Sequence, residues 1–520
     1  MTVKTHAILW VDDEIQMLEA HIAFLEQRGF AVTPCSSGDD ALELIAANDY
    51  DLVLLDEMMP GKNGLQTLVE IKETRPYLTV VMVTKSEEES LMEDAIGQKI
   101  DDYLTKPVNP SQVLSVIKKH VQSKKIVTSR LGQRYISDIN RINMTLGGPV
   151  AWTDWVDAYR SLCDWDLELD AFPDEALTET HQGTHKEWNG QFSRYYEKNY
   201  EQWLGSKSRP PLSMDVLDRA VIPRIKGGEQ VVFIVIDCLR LDLWLKIEAL
   251  LTDYFHIEHD FYYSIIPSAT PFARNAIFSG LFPAEVAKLY PDDWKAYPDD
   301  EISRNRREGE LLERQLTKKN ITVNNGAKYI KILNAQEGEG LTRRVENLLS
   351  SQLIAIVINF VDILTHGRSN NVLLKEMVPD EAAFRSLMRT WFEHSTLFEM
   401  MKMLAQKKAT VVITTDHGST LCSRGTVAHG KRDTSTNLRY KYGDNLNCNP
   451  KEALLLKNPD RYHLPSFSLA TTYLIAREDF YFVYPNQYHE FQRRFQNSFQ
   501  HGGITLDEII LPIATLKPKG

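Results

Sequence analysis

The sequence has few cysteines and lacks any long hydrophobic run. Its five cysteines, among 520 residues, form no Cys-x-x-Cys pair, so neither a disulfide framework nor a cysteine zinc site is expected. No apolar run reaches the roughly 18 residues that a membrane-spanning helix needs, and the N-terminus lacks the pattern of a signal peptide. We therefore expect a cytoplasmic protein that is not an integral membrane protein.

Basic residues are outnumbered by acidic residues, 59 to 71. The formal net charge is −12, and no helix-turn-helix pattern or basic recognition helix is evident, which argues against direct DNA binding. Apolar residues make up 43% and charged residues 25% of the chain, as in ordinary globular proteins. A chain of this length is expected to fold into about three domains.

Residues 1–123 alternate short apolar strands with helical patterns, which predicts a doubly wound α/β domain. Polar residues follow these predicted strands: Asp12, Asp13, Asp56, Thr84 and Lys106. The three carboxylates can hold one Mg²⁺ ion, and Asp56 can then accept a phosphoryl group as an acyl phosphate. Lys106 can pair with that phosphate, and the Thr84 hydroxyl can close on it and bias a loop.

These residues resemble the phosphorylation motif of response-regulator receiver domains. The resemblance covers about residues 1–123 and includes the stretch from Leu55 to Gly61 and the pair Lys106-Pro107. It implies that a sensor histidine kinase phosphorylates Asp56 and that Tyr103 is a switching aromatic residue. It also implies that phosphorylation favours a homodimer.

Residues 124–206 carry no strand signals and predict a small helical connector bundle. Five of the nine tryptophans lie there: Trp152, Trp155, Trp165, Trp188 and Trp203. Their helical spacing favours a core over a nucleotide-stacking platform. His181 and His185 have a metal-like spacing, but Gly183 lies between them, so we interpret this stretch as a polar turn. The stretch Ser206–Pro211 is predicted to be a linker that is mobile or extended.

Residues 207–520 predict a large α/β domain. The runs Val231–Ile236, Ile354–Ile358 and Val411–Ile413 indicate buried strands of a mostly parallel sheet, and ligands collect at the carboxyl ends of such strands. Six potential metal ligands follow these runs or a helical segment near the C-terminus: Asp237, Asp362, His366, Asp416, His417 and His501. Zinc accepts such ligands, and two sets of three leave each ion an open position.

Thr270 is a candidate nucleophile. It precedes a predicted helix whose first position suits Pro271, and the N-terminus of a helix favours phosphate. A hydroxyl bound to a metal becomes a nucleophile at neutral pH. The alternative is that Thr270 is an ordinary N-cap, but the set of metal ligands favours the nucleophile.

The order of these residues, with Gly418 after His417 and Gly502-Gly503 after His501, resembles the alkaline phosphatase superfamily and, within it, the PglZ branch. With the receiver in front, the chain resembles the PorX family of response regulators of type IX secretion. The resemblance implies one zinc ion bound by Asp237, Thr270, Asp416 and His417 and a second bound by Asp362, His366 and His501. It further implies attack by Thr270 on phosphorus, as in related diesterases and nucleotide pyrophosphatases. Mn²⁺ accepts similar ligands.

Two further segments bear on the substrate. A basic loop is predicted to grip the phosphates of a nucleotide or short oligonucleotide through Arg424, Lys431, Arg432 and Arg439, although a solvated surface loop is an equal alternative. Residues 284–345 are an insertion between core strands. Its charged run from Ser303 to Glu310 suggests a lid or cap with a solvated face.

Two functions follow from the sequence. The first is a two-component response regulator in which phosphorylation of Asp56 controls a zinc-dependent phosphodiesterase or phosphatase and regulates type IX secretion. The second is a non-catalytic regulatory scaffold, stabilised by zinc, that binds a sigma factor or a membrane partner. Thr270 favours the enzyme, because a structural zinc site needs no nucleophile.

Overall fold

The fold was obtained as a computed structural model. It describes residues 6–75, 78–85, 100–294, 304–333, 335–338, 340–430, 435, 437–484 and 488–519. The chain divides into two units, Met1–Ile139 and Asn140–Gly520, and each is described by itself. Among the described residues, no helix combines the length and apolarity needed to cross a membrane.

The first unit contains a five-stranded parallel sheet of order β2-β1-β3-β4-β5. Its elements are β1 His6–Val11, α1 Glu19–Glu26, β2 Phe30–Cys35, α2 Gly38–Ala47, β3 Leu52–Asp56, α3 Gly64–Thr74, β4 Thr79–Thr84, β5 Asp102–Thr105 and α4 Pro110–Ile117. Alternate residues of a strand point to opposite faces, so Ile8 and Trp10 join one hydrophobic cluster and Leu9 and Val11 the other. The predicted doubly wound receiver fold is confirmed.

Long helices follow the receiver. They are α5 Ser123–Leu146, α6 Trp152–Ala171 and α7 Glu175–Gly205. The buried aromatic residues of α7 recur at intervals of three to four: Trp188, Phe192, Tyr196, Tyr200 and Trp203. The rings of Phe192, Tyr196 and Trp203 pack around Tyr263, with centroid distances of 5.8 Å from Phe192 and 5.7 Å from Trp203. The interpretation of these aromatics as core is confirmed.

Two local predictions in this region are wrong. His181 and His185 lie inside α7 rather than in a turn, because carboxylates of neighbouring segments pair with both side chains on one helix face. Gly183 is tolerated on the opposite, open face, where an added Cβ would meet no atom within 4 Å. The linker prediction is wrong for its proline pair alone: Lys207 and Ser208 are exposed, but Pro210 and Pro211 are buried, and the Pro211 carbonyl accepts a 2.8 Å hydrogen bond from the Tyr263 amide.

The second unit is built on a six-stranded sheet of order β7-β18-β10-β6-β9-β8. Its strands and those of the smaller sheets are β6 Val231–Ile236, β7 Phe255–Tyr263, β8 Ala327–Ile332, β9 Leu353–Ile358, β10 Thr410–Thr414, β11 Thr420–Cys422, β12 Arg424–Val427, β13 Tyr440–Asp444, β14 Ala453–Leu456, β15 Thr471–Ala476, β16 Phe480–Val483, β17 Ser498–Gln500 and β18 Ile510–Pro518. Strands β10, β6, β9 and β8 run parallel, and β18 is antiparallel to β10 and β7. The predicted α/β class is confirmed.

Helices cover this sheet and its connections. They are α8 Ile222–Lys226, α9 Leu241–Glu248, α10 Thr270–Ser279, α11 Pro283–Leu289, α12 Glu308–Lys318, α13 Ala335–Gly338, α14 Leu341–Leu348, α15 Phe360–Asn370, α16 Val372–Met377, α17 Glu381–Glu393, α18 Thr396–Gln406, α19 Tyr488–Phe495 and α20 Leu506–Ile509. The strands β10, β6 and β9 are neighbours, so the polar residues that follow them meet at one edge of the sheet.

Candidate metal centre and phosphorylation site

One cluster of potential ligands forms where β6 and β10 end. Asp237 follows β6, Asp416 and His417 follow β10, and one ligand atom of each lies within 4.8 Å of the others. His417 Nε2 is 3.4 Å from Asp237 Oδ1 and 3.8 Å from Asp416 Oδ2. Thr270 opens α10, and its Oγ1 lies 3.0 Å from the same His417 nitrogen. The four residues predicted to share one ion are therefore together.

The second cluster consists of Asp362 and His366, one turn apart on α15, and His501, which follows β17. His366 Nε2 lies 3.3 Å from Asp362 Oδ1 and 2.9 Å from His501 Nε2. The rings of His501 and His417 stack with centroids 4.1 Å apart. The two clusters therefore adjoin, as a pair of cooperating metal ions requires.

Burial controls the charge of these groups. Burial, followed by the nearby Asp237 carboxylate, raises the pKa of Asp416 to about 7. Burial would also raise the pKa of Asp237, but Arg274 and His417 hold it below its usual value. Burial and the neighbouring His417 lower the pKa of His501 well below its usual value. His501 is therefore neutral at pH 7, which is the form of imidazole that binds metals.

Unpartnered oxygen atoms show that the donor set fits a metal ion. Asp237 Oδ1, Asp362 Oδ1 and Asp416 Oδ2 are buried and accept no hydrogen bond. These oxygens lie 3.3–3.8 Å from imidazole nitrogen atoms. Burying a carboxylate oxygen without a hydrogen bond is costly, and a divalent cation between the carboxylates and the imidazoles would offset that cost. Carboxylate oxygen and imidazole nitrogen are both ligands of zinc. The residues therefore fit the predicted zinc ions.

Sequence reasoning missed Arg274 and Glu308. Arg274 Nη1 donates to Asp237 Oδ2 at 2.5 Å, and its Nε donates to Glu308 Oε1 at 2.5 Å. A signal for Arg274 was available, because it lies one helical turn after Thr270 and so shares its face. Glu308 carries no such local signal, since its partner lies 34 residues away.

Two of the four residues predicted to contact phosphate already pair with carboxylates. Arg439 is buried, and its Nε and Nη2 donate to the two carboxylate oxygens of Glu508 at 3.0 and 2.6 Å. Its prediction as a substrate contact is wrong, because this pair takes up its charge inside the core. Arg424 already pairs with the carboxylates of Glu478 and Asp479. Lys431 and Arg432 lie outside the described residues.

The receiver unit brings together its predicted phosphorylation residues. Ligand atoms of Asp12, Asp13 and Asp56 lie within 4.8 Å of one another, which fits a magnesium ion held by oxygen ligands. Lys106 Nζ lies 2.8 Å from Asp12 Oδ2 and 3.0 Å from Asp56 Oδ1. Burial raises the pKa of Asp56, and Lys106 opposes this shift. Lys106 is thus in place to pair with a phosphoryl group on Asp56.

The two predicted switch residues differ in environment. Thr84 ends β4, and its hydroxyl donates a hydrogen bond to the Glu57 carboxylate. Tyr103 on β5 is exposed, with 44% of its surface accessible. Thr84 lies on the strand that neighbours β3 and its Asp56, and Tyr103 lies one strand further away in the sheet order β3-β4-β5.

Fold and site together define a receiver domain followed by an alkaline-phosphatase-like domain. Family models support this order: a response regulator receiver domain matches residues 8–118, a PorX response regulator linker domain residues 125–204, and a BREX system PglZ alkaline phosphatase-like domain residues 216–516. The last model spans more than half of the chain, so the protein belongs to the PglZ alkaline-phosphatase-like family. The three domains in this order match a PorX-type regulator.

Individual relatives share part of the chain. The transcriptional regulatory protein DltR of Streptococcus agalactiae serotype III (strain NEM316) is 32% identical over 128 residues, which are 24% of this chain and 57% of DltR. The regulatory protein VanRc of Enterococcus gallinarum is 34% identical over 115 residues, 22% of this chain and 49% of VanRc. The chain thus spans about half the length of the curated relatives it matches.

One solved structure is similar to part of this chain. A CheY-like response regulator receiver domain protein from Methanospirillum hungatei JF-1 is 28% identical, covers 23% of this chain and 96% of its own, and has a TM-score of 0.22.

Proposed function

We propose that the large unit is a zinc-dependent phosphoesterase that acts on phosphodiesters of nucleotides or short oligonucleotides. One observation carries the proposal: a threonine hydroxyl converges with two clusters of metal-ligand residues at one edge of the sheet. Phosphorylation of Asp56 would control this activity. The match to a PorX linker domain supports a role in regulating type IX secretion.

The donor residues divide between two zinc ions. Asp237, Thr270, Asp416 and His417 would hold one, and Asp362, His366 and His501 the other. Zinc, when bound, supplies Lewis-acid stabilisation of the charge that develops on the phosphate oxygens. The unpartnered carboxylate oxygens of both clusters are the groups that this cation would satisfy.

Thr270 supplies the nucleophile. It stands at the first turn of α10, whose N-terminal end carries partial positive charge that favours a phosphate anion. After the hydroxyl loses its proton, Thr270 Oγ1 forms a bond to phosphorus and the bond from phosphorus to the leaving oxygen breaks. Water then cleaves the phosphothreonine and restores the hydroxyl.

The test replaces Thr270 by valine, which has nearly the same shape but no hydroxyl. T270V should lose hydrolysis of a chromogenic phosphodiester and keep its second-cluster zinc, because Thr270 is not among the ligands of that ion. T252V is the control, since Thr252 is exposed and donates only to the Ala249 carbonyl. Turnover that survives in T270V would refute the nucleophile. Zinc in the wild type without turnover would favour the regulatory scaffold.

A further inference from the structure

The predicted insertion, residues 284–345, does not lie wholly outside the core, because its strand β8 is the edge strand of the six-stranded sheet. Its residues Asn305 and Glu308 contact Thr270 and Arg274 beside the candidate metal centre. The sequence predicts a solvated face for its charged run, but Arg304, Asn305 and Glu308 are only 4%, 3% and 0% exposed. That prediction is wrong for these residues, because their side chains form hydrogen bonds with polar groups inside the fold. The contacts of Glu308 and Asn305 show what this part of the insertion does.

Glu308 is a buried carboxylate surrounded by donors. Its Oε1 accepts from Arg274 Nε at 2.5 Å, and its Oε2 lies 3.0 Å from Lys331 Nζ and accepts from the Tyr329 hydroxyl. Burial would raise the pKa of Glu308, but Arg274 and Lys331 keep it below its usual value. Glu308 therefore carries a full negative charge behind the metal centre.

Arg274 joins this carboxylate to the first ligand cluster. Its Nη1 donates to Asp237 Oδ2 at 2.5 Å and lies 3.8 Å from Asp416 Oδ2. The other Asp237 oxygen accepts no hydrogen bond and lies 3.4 Å from His417 Nε2. Arg274 thus fixes the rotation of the Asp237 carboxylate so that its free oxygen points into the cluster. Glu308 compensates the guanidinium charge, which would otherwise repel a divalent cation.

Asn305 ties the nucleophile's helix to the same carboxylate. Its Nδ2 lies 3.2 Å from the Thr270 carbonyl and 2.9 Å from Glu308 Oε1. The amide therefore bridges the first residue of α10 and the insertion. The position of the Thr270 backbone is coupled to that of Glu308.

We propose that Glu308 and Asn305, carried by the insertion, are positioning residues of the phosphoesterase centre: Glu308 orients Arg274 against Asp237, and Asn305 holds the backbone at Thr270. This inference rests on the proposed function. The insertion would then contribute residues that position the metal ligands and the nucleophile, rather than only covering the site. Groups that orient metal ligands from behind commonly change metal affinity by about 10–100-fold when they are replaced.

The test compares Glu308→Gln with Glu310→Gln in the full chain. E308Q keeps the shape and removes the charge, so Arg274 is left partly uncompensated and one zinc ion should bind about 10–100-fold more weakly, as measured by competition with a chromogenic chelator. Glu310 is the matched control on the same helix, because it is exposed and pairs only with Arg307 at the surface. Its zinc affinity should equal that of the wild type. N305A should lower kcat measured at saturating zinc, because it releases the backbone at Thr270.

A purely structural role would give a different result. E308Q would then lower the unfolding temperature of the metal-free protein while both zinc affinities stayed at the wild-type values, and this outcome overturns the proposal. If E308Q fails to fold, Y329F removes one donor to Glu308 without a change of charge and should weaken zinc binding in the same direction; an unchanged affinity would overturn the proposal. Zinc affinity is measured without turnover. An inactive wild type would therefore refute the proposed function, while the zinc affinities of the variants would still decide whether Glu308 positions the metal ligands.

Discussion

The ion pair between Arg439 and Glu508 leads to a prediction that can be tested sharply. The sequence predicts that Arg439 contacts the substrate, whereas in the structure it pairs with a buried carboxylate. Both side chains are buried with no exposed surface. Glu508 accepts two hydrogen bonds from the guanidinium, and it also accepts from the Gly503 amide at 2.8 Å and the Thr505 hydroxyl at 2.9 Å. The pair therefore holds the turn that follows His501.

Replacing Arg439 by methionine keeps much of the volume and leaves the Glu508 carboxylate buried without its cation. Removing one partner of a buried ion pair costs about 3–5 kcal/mol of the free energy of unfolding. The double variant R439M/E508Q should cost less than R439M alone, because the uncompensated charge is gone while the new side-chain amide can still accept from the Gly503 backbone N–H. The sign of this difference identifies the charge, rather than lost packing, as the cause.

Urea unfolding followed by tryptophan fluorescence measures the effect. Every tryptophan except Trp10 lies beyond Ile139, so the signal reports chiefly on the large unit. R439K is a useful control, since it keeps the charge but not the paired geometry and should fall between wild type and R439M. An unchanged unfolding midpoint in R439M, together with a raised KM for a phosphodiester, would refute the structural role and restore the predicted substrate contact.

Three further predictions concern pH, a close contact and assembly. Burial acts to lower the pKa of His185, but Asp507 raises it to about 9, above the unfolded value of about 6.5. The protonated His185 therefore stabilises the fold, by at most about 3 kcal/mol. This stabilisation is complete below pH 6.5 and is lost as the pH rises to 9. The difference in unfolding free energy between wild type and H185Q should therefore shrink over that window, and a constant difference would contradict the assignment. An added Cβ on Gly418 would lie 1.9 Å from the Asp507 carbonyl oxygen, so G418A should displace the neighbouring His417 and weaken the binding of one zinc ion; two ions bound at wild-type affinity would count against this. With Mg²⁺ and saturating beryllofluoride at Asp56, light scattering should show a monomer-to-dimer shift, and an unchanged mass would argue against dimerisation on phosphorylation.

The clustering of the candidate ligand residues could be predicted from the sequence because their signal is local. Asp237 and Asp416 each follow a run of buried apolar residues, and such a run ends at an edge of the sheet. Parallel neighbours place their carboxyl ends at the same edge, so two local patterns become one site without any knowledge of distant contacts. Asp362 and His366 add a helical spacing that is equally local.

The charged residues around the site could not be predicted in this way. Arg439 lies 69 residues from Glu508, and Arg274 lies 34 residues from Glu308. A basic residue in a loop has the same local pattern whether it meets a phosphate in solvent or a carboxylate in the core. Its burial depends on the tertiary fold, which the neighbouring residues do not encode. This is why the local pattern predicts a surface contact for Arg439 and a solvated face for Glu308.

The helix α7 shows how a segment outside the sheet supports the metal centre. Ser193 donates to the Ile504 carbonyl at 2.7 Å, Asn189 accepts from the Leu506 amide at 2.8 Å, and His185 pairs with Asp507. All three partners lie in the stretch that follows His501. Without α7, two buried backbone groups of this stretch would lose their hydrogen-bond partners, at a cost of about 1–3 kcal/mol each. The helix α7 is therefore part of what holds the stretch after His501 in place, rather than a spacer ahead of the large domain.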